Sequence, residues 1–256
     1  MSENPSEKKL ENKVALITGA GRGIGRSIAE KYAQEGADLF LNATRMETLE
    51  ETKSLVSKYG IKIELCPMDV SDRDGVEKMV QQAVDSFGKI DILVNNAGIY
   101  RGSLFQDYKF EDFDAMMKVN VYGVFNVTQF VIRHMLENKS GKVINIASTA
   151  GKWASFAQSG YNTSKHAVVG MTRCLALVVG SSGINVNAIC PGVVETDMLG
   201  GGAQKEAVIE AVSQRVALGR IIQPEEVAGL ALYLASADAD GMTGQSLLLD
   251  AGMLFV

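Results

Sequence analysis

The sequence predicts an α/β fold: one doubly wound domain with a mainly parallel sheet and helices on both faces. The first observation is alternation, because short apolar runs of strand length are followed by longer segments of helical periodicity. The second is continuity, since no linker, internal repeat or low-complexity segment interrupts the 256 residues. The third is composition, because 46% hydrophobic residues can form a core without disulfides or metal ions.

Composition and charge also narrow the function. The net charge is -5 and no run of Lys or Arg forms a basic stripe, which argues against a nucleic-acid partner. Three scattered cysteines, Cys66, Cys174 and Cys190, predict reduced thiols in a cytoplasmic protein and no metal site. No apolar run reaches the length of a membrane span, and the polar N-terminus lacks the apolar core of a signal peptide. We expect residues 1–10 to be mobile and residues 11–256 to form the domain.

The first strand, turn and helix predict a nucleotide site. Residues 14–17 are apolar, and Gly19-Ala20-Gly21-Arg22-Gly23-Ile24-Gly25 follows before a helical pattern begins. Glycines let a backbone approach a pyrophosphate, and a helix N-terminus offers free N–H groups. The spacing G-x-x-x-G-x-G differs from the G-x-G-x-x-G fingerprint. Its place between a strand and a helix nevertheless favours dinucleotide binding.

The end of the second strand, residues 39–42, indicates which dinucleotide binds. A carboxylate at this point often holds the ribose 2′-hydroxyl of NAD. The sequence here is Ala43-Thr44-Arg45, and Arg22 lies in the neighbouring turn. An arginine pairs with a 2′-phosphate, which a carboxylate would repel. The sequence therefore favours NADP(H) and leaves NAD(H) open; alternatively, Arg45 only begins the next helix, 46–59, on its solvent face.

The next two strands bring further polar residues to the same sheet edge, where ligands bind in open α/β sheets. The third strand, 61–65, leads to Asp69-Val70, where an adenine would lie. We expect Ser71 to cap the helix that runs to Phe87. The fourth strand, 90–94, runs into Asn95-Asn96-Ala97-Gly98.

The second half continues the alternation. Three glycines at 200–202 precede a helical segment and predict a mobile substrate lid over residues 195–217. The predicted elements are helix 113–134 containing Asn120, strand 143–146 ending at Ser148, helix 161–179, strand 184–189, helix 203–217, a helix from Pro224 to residue 235, and strand 245–250.

Tyr161 and Lys165 form the candidate catalytic pair. Residues four apart share a helix face, so a phenol and an ammonium group would point to one place. A free tyrosine has a pKa of about 10, which a nearby positive charge lowers. Tyr161 would then exchange a proton near neutral pH, and Ser148 would hold the oxygen that receives it. Such pairs occur on helices by chance, so the meaning of this one depends on the rest of the chain.

Together these motifs resemble the short-chain dehydrogenase/reductase family, nearest to its 3-oxoacyl-[acyl-carrier-protein] reductases. The resemblance implies a Rossmann-type sheet of seven strands in the order 3-2-1-4-5-6-7. It also implies a homotetramer formed through the helices that hold Asn120 and Tyr161. The matching motifs span nearly the whole chain: Thr18-Gly19-x-x-x-Gly23-Ile24-Gly25, Asp69, Asn95-Asn96-Ala97-Gly98, Asn120, Ser148, Tyr161-x-x-x-Lys165, and Pro191-Gly192 with Thr196.

The resemblance also implies residue roles. Tyr161 would be the general acid or base, Lys165 would lower its pKa and bind the nicotinamide ribose, Ser148 would orient the carbonyl, and Asn120 would hold a water. The implied cofactor-binding residues are Gly19, Arg22, Gly23, Ile24, Gly25, Thr44, Arg45, Asp69, Val70, Asn96, Ala97, Gly98, Tyr161, Lys165, Pro191, Gly192, Val194 and Thr196. The substrate would meet Ser148 and Tyr161 together with Tyr100, Trp153, Gln158, Val193 and Met198, which are mostly apolar.

The leading functional hypothesis is an NADPH-dependent reductase of a ketone or of a 3-oxoacyl group on acyl carrier protein or coenzyme A. Arg133 and Lys139 are candidates for contacting an acidic carrier protein, although no basic docking patch is evident. The alternatives are an NAD-dependent dehydrogenase of a polyol or cyclic alcohol, and a non-catalytic nucleotide-sensing protein on the same fold.

Overall fold

The computed structural model describes residues 8–254, except the side chain of Gln204, and contains one seven-stranded sheet. All neighbouring strands are parallel, in the order β3-β2-β1-β4-β5-β6-β7. This confirms the order that the family resemblance implies. The strands are β1 (Val14–Thr18), β2 (Asp38–Ala43), β3 (Ile63–Pro67), β4 (Ile92–Asn95), β5 (Gly141–Ile146), β6 (Ile184–Pro191) and β7 (Ser246–Leu249).

Within residues 8–254, eight α-helices alternate with these strands and cover both faces of the sheet. They are α1 (Gly23–Gln34), α2 (Met46–Val56), α3 (Arg73–Phe87), α4 (Phe110–Met117), α5 (Val124–Asn138), α6 (Ser159–Val179), α7 (Gly202–Ser213) and α8 (Pro224–Ala235). In the same range, no helix is both long and apolar enough to cross a bilayer.

The core consists of one apolar layer on each side of the sheet. Alternate residues of a strand point to opposite faces, so a strand that is covered on both sides is apolar throughout. Ala15 and Ile17 of β1 pack in the layer with α1, α2 and α8. Leu16, between them, packs in the opposite layer with α3 and α5. The carboxyl ends of the strands therefore meet at one firmly supported edge.

The chain is anchored earlier than the predicted boundary at residue 11. Leu10 is fully buried, and its backbone N–H donates to the Glu35 carbonyl at 2.9 Å. Lys9 forms an ion pair with Asp238, which lies just after α8. The remainder of the predicted mobile segment, residues 1–7, lies outside the described residues.

Several element boundaries differ from the predictions. The third strand begins at Ile63 rather than residue 61, because Asp38 accepts the Lys62 N–H and the parallel register with β2 starts one residue later. The helix predicted over 46–59 ends as α2 at Val56 and is followed by a 3₁₀ turn, Ser57–Tyr59. The predicted helix 203–217 is shorter, α7, and its last four residues form turns.

The prediction that Ser71 caps α3 is wrong. Asp72 occupies the N-cap position, and its side chain accepts the Gly75 N–H at 3.2 Å. The Ser71 N–H instead donates to the Asp69 carboxylate at 2.9 Å. Asp and Ser both serve as N-caps, so the local pattern did not separate these neighbours.

The single helix predicted over 113–134 is three consecutive segments. Helix α4 leads into a π-helical segment, Lys118–Gly123, which continues as α5. A π segment is an insertion in the helical repeat, and it frequently marks a functional site. Asn120 lies inside it.

Candidate active site

The glycine turn after β1 is packed so closely that side chains are excluded from it. Gly19 has a φ of +64°, and a Cβ there would lie 2.8 Å from Asn96 Nδ2. A Cβ on Gly25 would overlap the Gly19 carbonyl oxygen and lie 2.5 Å from the same amide nitrogen. Asn96 Nδ2 donates to the carbonyls of Thr18 and Gly19, both at 3.0 Å. The side chain that follows β4 therefore holds the turn that follows β1.

This turn fits a dinucleotide. Arg22 occupies the N-cap position of α1 without a side-chain cap, so the first turn of the helix presents backbone N–H groups. Such a helix N-terminus attracts a phosphate. A Cβ on Gly23 would lie 3.2 Å from the Thr196 side chain, so the segment after β6 passes close to the glycine turn.

The other predicted cofactor residues lie at the ends of β2, β3 and β4. Thr44 and Arg45 are exposed after β2, and Arg45 occupies the N-cap position of α2 without a side-chain cap. Asp69 is exposed after β3, while Val70 is buried and would contact a Cβ on Gly123 of the π segment. Arg22 pairs with Asp197 at 3.6 Å.

The segment from Pro191 to Thr196 is tied to neighbouring strands and turns. The Gly192 N–H donates to the Leu249 carbonyl at 3.0 Å, and a Cβ on Gly192 would lie 2.9 Å from Asp250. Val194 is buried and forms a parallel bridge with Ile222. These contacts hold the backbone of the segment where it passes the glycine turn.

The predicted catalytic residues converge on the ends of β4 and β5. Lys165 is 5% exposed, and its Nζ donates to the Ile146 carbonyl at 2.9 Å. A Cβ on Gly98 would lie 3.4 Å from Asn120 Oδ1 and 3.7 Å from Lys165 Nζ, so Gly98 brings these two side chains to one place. Lys165 Nζ also lies 5.6 Å from the centroid of the Tyr161 ring.

Asn120 joins the π segment to the loop after β4. Its Oδ1 accepts the Ile99 N–H at 2.8 Å, and its Nδ2 donates to the Ile99 carbonyl at 2.9 Å and to Ser164 Oγ at 3.1 Å. The side chain of Asn120 therefore ties the loop that carries Gly98 and Tyr100 to α6. The role that the resemblance implies for it, holding a water, stays a prediction.

Burial sets the pKa of both members of the Tyr161–Lys165 pair. Burial raises the pKa of Tyr161 to about 12, while a hydrogen bond with Ser148 acts to lower it and the Tyr100 phenol adds to the rise. Burial also lowers the pKa of Lys165 to about 8, against a raising effect of Cys190. The predicted lowering of the Tyr161 pKa is therefore not found, because burial makes the net shift a rise. Tyr161 is therefore a neutral phenol at pH 7, the form that donates a proton.

The predicted substrate residues differ in their burial and in their contacts. The rings of Tyr100 and Tyr161 are 5.3 Å apart, at 89° to each other. Gln158 immediately precedes α6, and its carbonyl accepts the Asn162 N–H at 2.8 Å. Val193 is half-buried after β6, while Trp153 and Met198 are largely exposed.

One residue that shapes the site was missed by the sequence reasoning. Asn162 Nδ2 donates to the carbonyls of Ala150, at 3.1 Å, and Trp153, at 2.6 Å. It thereby ties the loop that begins at Ser148 to the residue after Tyr161. In the sequence, only the position of Asn162 next to Tyr161 pointed to such a role. Its hydrogen-bond partners lie nine and twelve residues earlier and so give no local pattern.

Comparisons with known proteins identify the family of this chain. Residues 19–254 match the family described as "Enoyl-(Acyl carrier protein) reductase". The 3-oxoacyl-[acyl-carrier-protein] reductase FabG of Thermotoga maritima is 39% identical over 96% of this chain and 99% of its own length. The structure of a short-chain type dehydrogenase/reductase from Mycobacterium marinum superposes with a TM-score of 0.92 at 35% identity, covering 98% of each chain. The chain belongs to the short-chain dehydrogenase/reductase family.

Membership of the short-chain dehydrogenase/reductase family gives the reaction class. The protein is an oxidoreductase that interconverts a CH–OH group and a ketone with a nicotinamide cofactor. A further solved member, NAD+-bound xylitol dehydrogenase, superposes with a TM-score of 0.89 at 32% identity and covers 96% of this chain and 100% of its own. Among residues 8–254, no three His, Cys, Asp or Glu side chains are grouped to hold a metal ion.

Proposed function

We propose that this oxidoreductase uses NADPH to reduce a 3-oxoacyl thioester, carried by acyl carrier protein or coenzyme A, or a related ketone. The observation that carries the cofactor preference is the end of β2, where Thr44 and Arg45 are exposed and residues 43–45 contain no carboxylate. An arginine at this position pairs with a 2′-phosphate. The substrate class is supported by the FabG relative, which is named a 3-oxoacyl-[acyl-carrier-protein] reductase.

In the proposed chemistry, each polar side chain at the carboxyl edge of the sheet has one role. The nicotinamide supplies a hydride to the carbonyl carbon when it is bound. Ser148 orients the carbonyl oxygen, and neutral Tyr161 donates its phenolic proton to that oxygen. The π bond of the carbonyl is lost, a C–H and an O–H bond form, and the C–O single bond remains. Lys165 holds the nicotinamide ribose, and Asn120 fixes the adjoining loop and a water that returns a proton. The substrate lies against Trp153, Gln158, Val193 and Met198.

The proposed cofactor contacts follow the cleft from the glycine turn to the segment after β6. The turn residues hold the pyrophosphate through backbone N–H groups, and Asp69 and Val70 hold the adenine. The full proposed set is Gly19, Arg22, Gly23, Ile24, Gly25, Thr44, Arg45, Asp69, Val70, Asn96, Ala97, Gly98, Tyr161, Lys165, Pro191, Gly192, Val194 and Thr196.

The cofactor assignment is tested by fluorescence titration with NADPH and NADH. We expect NADPH to bind at least about tenfold more tightly, or 1.4 kcal/mol. Arg45→Gln should weaken NADPH binding and leave NADH binding unchanged. Arg133→Gln, an exposed change on α5, should affect neither. Equal binding of both cofactors to the wild type would contradict the assignment.

The catalytic assignment is tested with Tyr161→Phe. We expect loss of most turnover of 3-oxoacyl thioesters and ketones, with the affinity for NADPH unchanged. Full activity in this variant would exclude Tyr161 as the acid. The absence of wild-type turnover with these substrates would reject the substrate class while leaving the cofactor result intact.

A second candidate, an NAD-dependent dehydrogenase of a polyol or cyclic alcohol, is favoured by one contact. Asp197 pairs with Arg22 at 3.6 Å and so competes with a 2′-phosphate for that guanidinium. The solved structure of xylitol dehydrogenase is that of its NAD+-bound form. Tighter binding of NADH and oxidation of polyols, without reduction of 3-oxoacyl thioesters, would establish this candidate instead.

We also propose that residues 195–217 form a substrate lid. Gly200 and Gly202 have φ values of +83° and +59° on either side of the exposed Gly201. Protection of residues 195–217 from protease by bound substrate tests the lid.

We further propose a homotetramer that forms through α5 and α6. Phe125, Leu177 and Val178 are exposed apolar residues on these helices. Light scattering on the purified protein measures its oligomeric state directly.

A further inference from the structure

Tyr100 contacts Tyr161 in a defined geometry. Tyr100 lies in the loop after β4, two residues beyond Gly98, and it is partly exposed. Its ring meets that of Tyr161 in a T-shaped arrangement, with centroids 5.3 Å apart and planes at 89°. Aromatic pairs favour this arrangement over a face-to-face stack. The ring of Tyr100 thus limits the positions available to the Tyr161 phenol.

Tyr100 is itself held on both sides by other contacts. Asn120 fixes the backbone of the preceding residue, Ile99, through both its N–H and its carbonyl. On the other side, the Ser103 N–H donates to the Ala157 carbonyl at 2.9 Å, which fastens the loop to the segment before α6. A side chain at Gly102 would overlap the Tyr100 hydroxyl. The contact with Tyr161 therefore comes from a supported loop.

We propose that Tyr100 is a positioning residue of the active site: its ring holds the Tyr161 phenol in the orientation from which the proton reaches the substrate oxygen. The inference rests on the proposed role of Tyr161 as the acid. Three polar groups face Tyr161: Lys165 on the same helix, Ser148 after β5, and the Tyr100 phenol after β4. Tyr108, in the same loop as Tyr100, faces Tyr100, and its hydroxyl donates to the Arg101 carbonyl.

Two substitutions separate the ring of Tyr100 from its hydroxyl. Tyr100→Phe keeps the ring and removes the hydroxyl. The Tyr100 phenol raises the Tyr161 pKa, so its removal should lower that pKa. We expect the kcat of Tyr100→Phe to fall less than that of Tyr100→Leu, while the alkaline limb of the pH profile for reduction moves to lower pH. The limb moves in this direction because reduction requires protonated Tyr161, whose pKa falls. Tyr100→Leu also removes the ring, and we expect kcat to fall about five- to tenfold while the Kd for NADPH stays unchanged.

Tyr108→Leu is the matched control, because it loosens the same loop without removing a contact to Tyr161. We expect it to raise the substrate KM and leave the alkaline limb in place. A second readout that does not depend on turnover is the ultraviolet difference titration of phenolate, with Tyr161→Phe used to identify the Tyr161 signal. Tyr100→Phe should shift that signal to lower pH.

The outcomes decide between a positioning and a purely structural role. The proposal is overturned if both Tyr100 variants keep the wild-type kcat and pH profile, or if Tyr108→Leu reproduces their effects. It is supported if Tyr100→Leu lowers kcat more than Tyr100→Phe does and both Tyr100 variants move the phenolate signal. If the wild type reduces no ketone or thioester, the proposed function fails, while the phenolate titration still tests the contact between the two tyrosines.

Discussion

The two halves of the active-site edge are built by different means. Around β1 and β4 the site is made of backbone, with glycines packed against the Asn96 side chain at distances that admit no Cβ. Around β5 and β6 it is made of side chains on loops, and some of these are exposed, such as Phe156 at 86% and Met198 at 53%. A backbone site binds the invariant parts of a cofactor, whereas loop side chains can vary with the substrate. This is why the motifs identify a cofactor class and do not identify a substrate.

The largest expected effect on stability and cofactor binding comes from adding one methyl group to the glycine turn after β1. In Gly25→Ala the new Cβ would overlap the Gly19 carbonyl oxygen, so the turn after β1 must move. We expect a loss of about 1–3 kcal/mol in the free energy of unfolding. We also expect NADPH affinity to fall at least about tenfold, because the same turn is the proposed site of the pyrophosphate. Urea unfolding and fluorescence titration measure the two effects.

Gly170→Ala is the control for that change. Gly170 lies within α6, is exposed, and has no atom within 4 Å of a new Cβ. Alanine is the better helix former, so we expect a gain of about 0.5–1 kcal/mol in stability and unchanged cofactor binding. If Gly25→Ala were as harmless as Gly170→Ala, the glycine turn would be more adaptable than its packing indicates.

The second prediction concerns the cost of burying Lys165. Its pKa is lowered to about 8, so the folded chain binds its proton less tightly than the unfolded chain does, where the pKa is 10.5. Below pH 8 the lowered pKa of Lys165 reduces the free energy of unfolding by about 1–3 kcal/mol relative to a chain in which this pKa is unchanged. Lys165→Met should therefore abolish most turnover while raising stability by that order at pH 7.

The stability difference between Lys165→Met and the wild type should decrease as the pH rises. Between pH 8 and 10.5 the unfolded state holds the Lys165 proton and the folded state does not, so wild-type stability rises relative to Lys165→Met. The advantage of the variant should be full at pH 7 and absent above pH 10.5. Urea unfolding at pH 7 and pH 9.5 measures the change, and a constant difference between the two proteins would contradict it.

The parts of this structure that sequence predicted are those with local signals. Apolar runs placed all the strands, and the motif order implied the topology that the sheet has. The π segment around Asn120 was not predicted, because the local pattern does not show remote contacts such as that of Asn120 with Ile99, which lies 21 residues earlier. The pKa of Tyr161 was predicted in the wrong direction for a similar reason. The i,i+4 spacing shows that a lysine is near, but it does not show how deeply the pair is buried.

A third prediction tests how the substrate half is held together. Asn162→Ala removes the donors to the Ala150 and Trp153 carbonyls. We expect a stability loss of about 1–2 kcal/mol and a looser loop, since each lost bond leaves a carbonyl without its partner. Trp153 is the only tryptophan, so quenching of its fluorescence by acrylamide reports on this loop directly.

Asn126→Ala is the matched control for Asn162→Ala. Asn126 is another buried asparagine with side-chain hydrogen bonds, to Arg73 and to the Val70 carbonyl. It should lose a similar amount of stability without changing the quenching of Trp153. Equal quenching in the two variants would show that Asn162 does not fix the loop.

The smallest expected effect lies in the predicted lid. Lys205 on α7 pairs with Glu195 at 3.1 Å, and Gln223 also donates to Glu195 at 3.0 Å. Because solvent screens an exposed ion pair and the second contact remains, Lys205→Met should change the substrate KM by less than about threefold. Lys78→Met, on the exposed side of α3, is the control. A tenfold change confined to Lys205→Met would mean that this ion pair sets the closed position of the lid, and the substrate half would then be less adaptable than its exposed side chains indicate.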